Sequence, residues 1–311
     1  MNKDIILEKE KKIFDNQIQE RLRHGFIPDL RRLRKVGWFY NNMWRDPEFV
    51  KLHWMPKVNF VIDIAKKRGG KVVELGCGCG YLTLELARHG LDVLGVDIST
   101  KNIAVARKYQ KLNTYKKGFG SLQYKCCDIE NFDFGKNQLD TVVFFRSLHH
   151  LKNIISVLRK IRRSLRKGGN IIICEPMRNN FTRKSAEVAG ILRAVSPTWI
   201  SYGEKLRNLT DGRAWDKYVN RIYQEYTYSD DFKQSPMDNK IATAEIVLKA
   251  VRKYFIIKKV SFSDAFIDKL IGGLRGRNKY AFAKFFKFLD NLMVERGILP
   301  PTEIAIYAKK K

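Results

Sequence analysis

The spacing of apolar positions divides the chain into three unlike stretches. From Ile5 to Leu22 apolar and charged residues recur at helical spacing, which predicts a helix, and Pro28 then interrupts the pattern. Phe49 to Lys67 predicts a second amphipathic helix, broken early by Pro56 and ended by Gly69-Gly70. From Lys71 onward short apolar runs alternate with amphipathic segments. Strands are predicted at Lys71–Leu75, Asp92–Val96, Leu122–Cys126, Leu139–Phe145 and Asn170–Cys174. The intervening helices are predicted at Tyr81–His89, closed by Gly90, from a Ser99 or Thr100 cap to about Leu112, and at Asn153–Leu165, ended by Gly168-Gly169. Leu139–Phe145 has the near-continuous apolar character of a strand buried on both faces. Strand–helix alternation with short connections implies an α/β fold, a mostly parallel sheet with helices on both faces.

After Glu175-Pro176 the alternation stops. Residues 177–239 are rich in Tyr, Trp, Arg and Asp and too long for a plain connection, so they read as an inserted helical cap or substrate region. A helical embellishment without substrate contact is the plainer alternative. A helix at Ile241–Val251, a strand at Phe255–Phe262, an aromatic-rich helix at Lys279–Met293 and a strand at Thr302–Ala308 follow. The expected organisation is an N-terminal helical lid (1–69), a core (70–176 and 240–311) and the cap (177–239).

Composition narrows the class. Hydrophobic residues are 44% of 311, enough for a sizeable core. Sixty Lys+Arg against 32 Asp+Glu leave a formal charge of +28, which admits nucleic acid, an anionic membrane surface or an anionic substrate as partner. The basic residues are spread along the whole chain, which equally fits solvated faces. Five cysteines, an odd number, argue against a disulfide framework and for a reduced, cytoplasmic setting. Cys77-Gly78-Cys79 has no second Cys or His cluster at matching spacing, so no metal is expected. The charged start is unlike a secretory leader, and no apolar run approaches the roughly 20 residues of a membrane helix.

The sharpest signal is Glu74-Leu75-Gly76-Cys77-Gly78-Cys79-Gly80, between the first predicted strand and helix. Glycines allow a tight turn and close approach of a ligand to the backbone, and the helix start offers free N–H groups. A dinucleotide fingerprint would place its third glycine one position later, where Tyr81 stands. Glu74 would repel a diphosphate but attract a sulfonium or an amino group.

This segment resembles motif I of class I S-adenosylmethionine-dependent methyltransferases, and Leu94-Gly95-Val96-Asp97-Ile98-Ser99 resembles the motif that follows it. Cys127-Asp128-Ile129-Glu130 is similar to the family's third-strand motif, Asp140–Leu151 to the fourth, and Arg166–Ile173 to the Gly-Gly turn before the fifth strand. The resemblance spans about residues 70–175. It implies a seven-stranded sheet whose last strand is antiparallel, and S-adenosylmethionine as cofactor. It places Glu74, Gly76, Cys77, Gly78, Gly80, Asp97, Ile98, Asp128, Ile129 and Phe145 at the cofactor, Asp97 on the ribose hydroxyls and Asp128 with Ile129 on adenine.

The acceptor is harder to read. The chain lacks the Asn-Pro-Pro-Tyr-like motif of enzymes acting on exocyclic base amines; Phe145-Arg146-Ser147-Leu148 stands there instead. Cys174-Glu175-Pro176 has the wrong order for a Pro-Cys nucleophile. What remains resembles the small-molecule group, with a small or lipid- or saccharide-type acceptor, of anionic character if the charge is used, and oxygen as the first choice of accepting atom. His149 and His150 stand at the crevice end of the fourth strand, where an imidazole can take a proton; a purely architectural role is the alternative. Trp199, Tyr202, Trp215, Tyr218, Tyr223, Tyr226 and Tyr228 either wall the acceptor pocket or form the cap's own core, while Arg207, Arg213 and Arg221 are candidates for an anionic acceptor. Asp238 or Asn239 reads as a helix cap, and Gly272–Arg277 as a flexible, solvated basic loop. The rival readings are a nucleic-acid methyltransferase and a non-catalytic basic binding protein on the same fold.

Overall fold

The computed structural model describes residues 3–37, 41–200, 203, 205, 209, 211–227, 235–236 and 243–311. Seven strands, β1 (Lys71–Leu75), β2 (Asp92–Asp97), β3 (Ser121–Cys126), β4 (Leu139–Phe145), β5 (Leu165–Pro176), β6 (Phe255–Ser263) and β7 (Glu303–Lys310), form one sheet in the order β3-β2-β1-β4-β5-β7-β6. β1 to β5 pair in parallel, and β7 runs antiparallel to both β5 and β6. The order reverses between β1 and β4, so their carboxyl ends diverge and leave a crevice there.

Nine helices of two turns or more are described: α1 (Lys3–Arg23), α2 (Met55–Arg68), α3 (Tyr81–Arg88), α4 (Thr100–Lys111), α5 (Ile154–Ser164), α6 (Arg183–Val195), α7 (Gly212–Thr227), α8 (Ala244–Tyr254) and α9 (Lys279–Glu295). The side chains of β4 alternate between two cores. Val143 and Phe145 join α2, α3, α4 and α9 on one face, whereas Val142 and Phe144 join α5 and α8 on the other. All seven residues of β4 are buried, which is why its sequence carries no polar alternation beyond its first residues.

Pro56 does not break its helix. A π turn at Val50–Trp54 precedes α2, and Pro56 falls in the first turn of α2, where its missing N–H costs nothing. Gly168-Gly169 does not precede β5 but lies inside it: α5 stops at Ser164, β5 starts at Leu165, and a register shift between Leu139 and Thr141 absorbs the glycines. The Gly272–Arg277 segment is solvated at Gly276 and Arg277 but buried at its start. Gly272 and Gly273 are buried, a Cβ on Gly272 would lie 2.2 Å from the Asn41 carbonyl oxygen, and Arg275 Nη1 donates to the carbonyls of Gly272, Gly273 and Leu274.

α6 and α7 pack on each other, with Gly190 letting Ile222 and Tyr218 approach. Tyr226 stacks on Phe181 at 4.1 Å and its hydroxyl donates to the Phe266 carbonyl. β6 closes one end of the sheet and carries exposed Ile256, Lys258, Lys259 and Phe262. Among the described residues no helix is long and apolar enough to cross a membrane.

Candidate active site

A cavity of about 370 Å³ opens at the carboxyl ends of β1, β2 and β4. Its floor is the glycine turn after β1. Gly76 and Gly78 adopt φ of 74° and 52°, conformations that favour glycine. A Cβ on Gly76 would lie 2.4 Å from Ser147 Cβ, so this glycine lets β1 and the β4 loop close up. A Cβ on Gly78 would meet nothing within 4 Å and would project into open space on the cavity wall. Gly80, the third glycine of the motif, is not on the wall; its Cβ would strike Tyr124 Oη at 2.5 Å, so it serves helix packing.

Glu74, Cys77, Asp97, Ile98, Asp128, Ile129 and Phe145 all line the cavity. Glu74 is only 3% exposed, and its Oε2 has no hydrogen-bond partner. Burial, reinforced by the nearby Asp97 charge, holds its carboxyl well above the usual range. Asp97 accepts the Gly78 N–H on Oδ2 (2.8 Å) and the Ser99 N–H on Oδ1 (2.9 Å). Burial raises its carboxyl too, and those two donors oppose the rise. Asp128 caps the turn after β3, accepting the Glu130 N–H at 2.9 Å. Burial drives the Cys77 thiol well above its usual range and Cys79 to about 12, which disfavours the thiolate at both.

His149 and His150 both reach the cavity, in different settings. His149 Nδ1 lies 2.6 Å from Glu175 Oε2, and Glu175 Oε1 also accepts the Ser147 and Leu148 N–H groups. Burial lowers the His149 imidazole while Glu175 opposes this; the same contacts hold Glu175 below the usual carboxylate range. The pair is therefore a neutral imidazole against a carboxylate, which makes Nδ1 the protonated nitrogen and leaves Nε2 as acceptor. His150 Nδ1 lies 2.9 Å from Glu10 Oε1 on α1 and 3.2 Å from Ser235 Oγ, with Phe14 edge-on to its ring.

The structure adds residues that sequence reading passed over. Trp44 and Trp54, from the segment before β1, form an aromatic wall with Tyr81 and Phe145. Arg146 lines the cavity with a left-handed φ of 60°, its guanidinium 5.4 Å from the Trp54 ring and paired with Glu303. Glu175 stood in the sequence as part of an excluded nucleophile motif; its position at the end of β5, beside β4, was the available signal. The described cap aromatics Trp199, Trp215, Tyr218, Tyr223 and Tyr226 are not on the cavity wall, and Arg213 and Arg221 are exposed to solvent. Tyr202, Arg207, Tyr228, Asp238 and Asn239 lie outside the described residues. No group of three or more His, Cys, Asp or Glu suited to a metal ion occurs among the described residues.

Residues 73–173 match the family model described as a methyltransferase domain. The ubiquinone biosynthesis O-methyltransferase of Pseudomonas aeruginosa (strain UCBPP-PA14) is 30% identical over 138 residues, 43% of this chain and 57% of that protein. The chain thus spans little more than half the length of this relative. Among solved structures, the [4+2]-cyclase SpnF superposes with a TM-score of 0.56 at 14% identity, over 96% of this chain and 94% of that one. The geranyl diphosphate C-methyltransferase of Streptomyces coelicolor A3(2) gives 0.55 at 12% identity, over 98% of each chain. A cyclase and a C-methyltransferase on one architecture show that the fold does not choose the reaction. The chain has the class I methyltransferase fold, and its residues 73–173 are similar to a methyltransferase domain.

Proposed function

We propose that this protein transfers the methyl group of S-adenosylmethionine to a hydroxyl oxygen of a small organic acceptor. The observation that carries the cofactor assignment is Glu74 Oε2, a buried carboxylate oxygen without a partner on the wall of the cavity. Such an atom costs free energy until a cation or donor meets it, and the α-ammonium of the cofactor is a fitting one. Asp97 retains lone pairs on both oxygens for two ribose hydroxyls, and Asp128 with Ile129 would hold adenine. The cofactor supplies an electrophilic methyl on a sulfonium.

The chain's own residues do the rest. The aromatic wall of Trp44, Trp54, Tyr81 and Phe145 excludes water and orients an organic acceptor. His149 Nε2 takes the hydroxyl proton as the oxygen attacks, and Glu175 stabilises the imidazolium that results. Oxygen as the accepting atom is supported by this dyad and by the O-methyltransferase names of the relatives. A cytoplasmic setting fits five free cysteines.

Titration calorimetry with S-adenosylmethionine and S-adenosylhomocysteine, on the wild type and Asp97→Ala, tests the cofactor site. Binding in the micromolar range that Asp97→Ala weakens at least tenfold supports it; no binding to folded wild type overturns it. An acceptor screen with radiolabelled methyl donor then separates hydroxyl acceptors from amines and RNA, and label appearing only in RNA would overturn the small-molecule reading.

A further inference from the structure

We infer that α1 is a gate over the cofactor and that Asp15 is its latch, a positioning residue through which the helix reports on the state of the ribose-binding loop. The inference rests on the cofactor reading above. One stripe of α1, Leu7, Glu10, Phe14, Gln17, Ile18 and Arg21, lines the same cavity as Glu74, Gly78 and Asp97. These positions recur at helical spacing, so a single face of α1 covers the site along most of its length.

The polar contacts described between α1 and the core lie at the two ends of the site, with Asp15 beside the cavity face and Glu10 on it. On the cofactor side, Asp15 Oδ1 accepts the Ser99 hydroxyl (2.5 Å) and the Lys101 N–H (3.0 Å), and its Oδ2 accepts the Thr100 hydroxyl (3.2 Å). Ser99 in turn donates its own N–H to Asp97 Oδ1, and Asp97 Oδ2 takes the Gly78 N–H. A hydrogen-bonded chain therefore runs from α1 through Ser99 and Asp97 to the glycine turn. Asp15 also places a negative charge at the N-terminus of α4, where the helix dipole favours it. On the other side, Glu10 meets His150, next to the His149 dyad. One rigid helix is thus tied to both substrates' sides of the cavity.

The apolar anchor of α1 is weak by comparison. Ile18 packs in a small cluster with Phe26, Cys79 and Val105 that reaches the main core only through the half-buried Trp44, Tyr81 and Tyr109, and Gly25 follows α1 with a φ of 85°. An element held by a small cluster and a few polar bonds that are part-buried or exposed opens at a lower free energy than the sheet. Ligand passage over Asp97 therefore proceeds by release of Asp15, and occupancy of the ribose site, which fixes Asp97 and with it Ser99, favours the closed helix.

Two measurements on the full chain test this. Hydrogen exchange of the α1 amides is followed with and without S-adenosylhomocysteine, and its release rate is read by stopped-flow fluorescence of Trp44 and Trp54. The expected result is ligand-dependent protection of α1 in the wild type, and release at least tenfold faster in Asp15→Asn and moderately faster in Glu10→Gln. Asp15→Glu restores part of the slow release. Wild type that binds S-adenosylhomocysteine with unchanged α1 exchange, or release from Asp15→Asn at the wild-type rate, overturns the gate and leaves the cofactor reading standing. Failure of the wild type to bind the ligand overturns both.

Discussion

At the scale of single residues, Glu74 makes opposite demands on stability and binding. Its folded carboxyl sits above its unfolded value, so the stability it contributes at acid pH is lost as pH rises. Glu74→Gln is therefore expected to raise the melting temperature of the unliganded protein at pH 7.5, with the difference shrinking toward pH 4, while weakening S-adenosylmethionine at least tenfold. Cofactor binding should also release protons in the wild type and not in the variant, as read by calorimetry in buffers of different ionisation enthalpy. His149 gives a kinetic signature. Its imidazole lies below the usual 6.5, so kcat/KM should rise with pH through a value under 6.5 and stay flat above it. Glu175→Gln removes the carboxylate that supports the protonated form, so the acid limb moves to still lower pH and kcat falls about 10- to 1000-fold. A merely structural Glu175 would lower kcat without moving the limb. The cavity residues Glu74, Gly78, Asp97 and Asp128 were legible in the sequence because each stands in a short motif at the end of a strand. The dyad was not, because Glu175 and His149 meet only through the pairing of β4 with β5.

At the scale of elements, two glycines of one turn should fail differently. Gly80→Ala puts a Cβ against Tyr124 Oη and Ala106 at a φ of 79°, which should cost about 2–4 kcal/mol in denaturant unfolding. Gly78→Ala meets open space, so it should cost about 1–2 kcal/mol in stability while its Cβ occupies ligand space and weakens the cofactor more than tenfold. The parallel strands were readable because burial on both faces writes itself as apolar runs. Other elements were masked by composition. Gly-Gly reads as a turn although β5 carries it as an irregularity, and Arg275 in a glycine-rich stretch reads as solvated although its guanidinium turns onto three carbonyls. The aromatic residues of 177–239 left a pocket wall and a cap core open; of the described ones, Tyr226 stacks on Phe181 and Trp215 and Tyr218 pack between α6 and α7, and the cavity's aromatic wall includes Trp44 and Trp54 before β1.

At the scale of the molecule, a buried charge network ties α2, α9 and the start of β7 together. Asp264, at a φ of 58°, pairs with Lys57 (2.5 Å) and Lys287 (2.8 Å), and Lys57 also approaches Glu303. Nearby, Asp290 Oδ1 takes the N–H groups of Ala265, Phe266 and Ile267, yet burial and the Asp264 charge push its carboxyl up to about 6. A carboxyl raised from 3.8 stabilises the fold below 3.8 and loses that contribution as pH climbs to 6. Asp290→Asn keeps an oxygen for the three donors, so its melting temperature relative to wild type should climb between pH 4 and pH 7.5. A relative melting temperature that stays flat or falls over that range would refute the ionisation cost.

The edge strand β6 carries a different consequence. Ile256 and Phe262, each 47% exposed, would make its open rim a template for strand-to-strand addition between molecules, but exposed Lys258 and Lys259 stand between them. Approach of a second rim brings like charges face to face, within a chain whose formal charge is already +28. Like charge at such a rim opposes strand-to-strand addition between copies, and that opposition fades as salt shortens the reach of the charges.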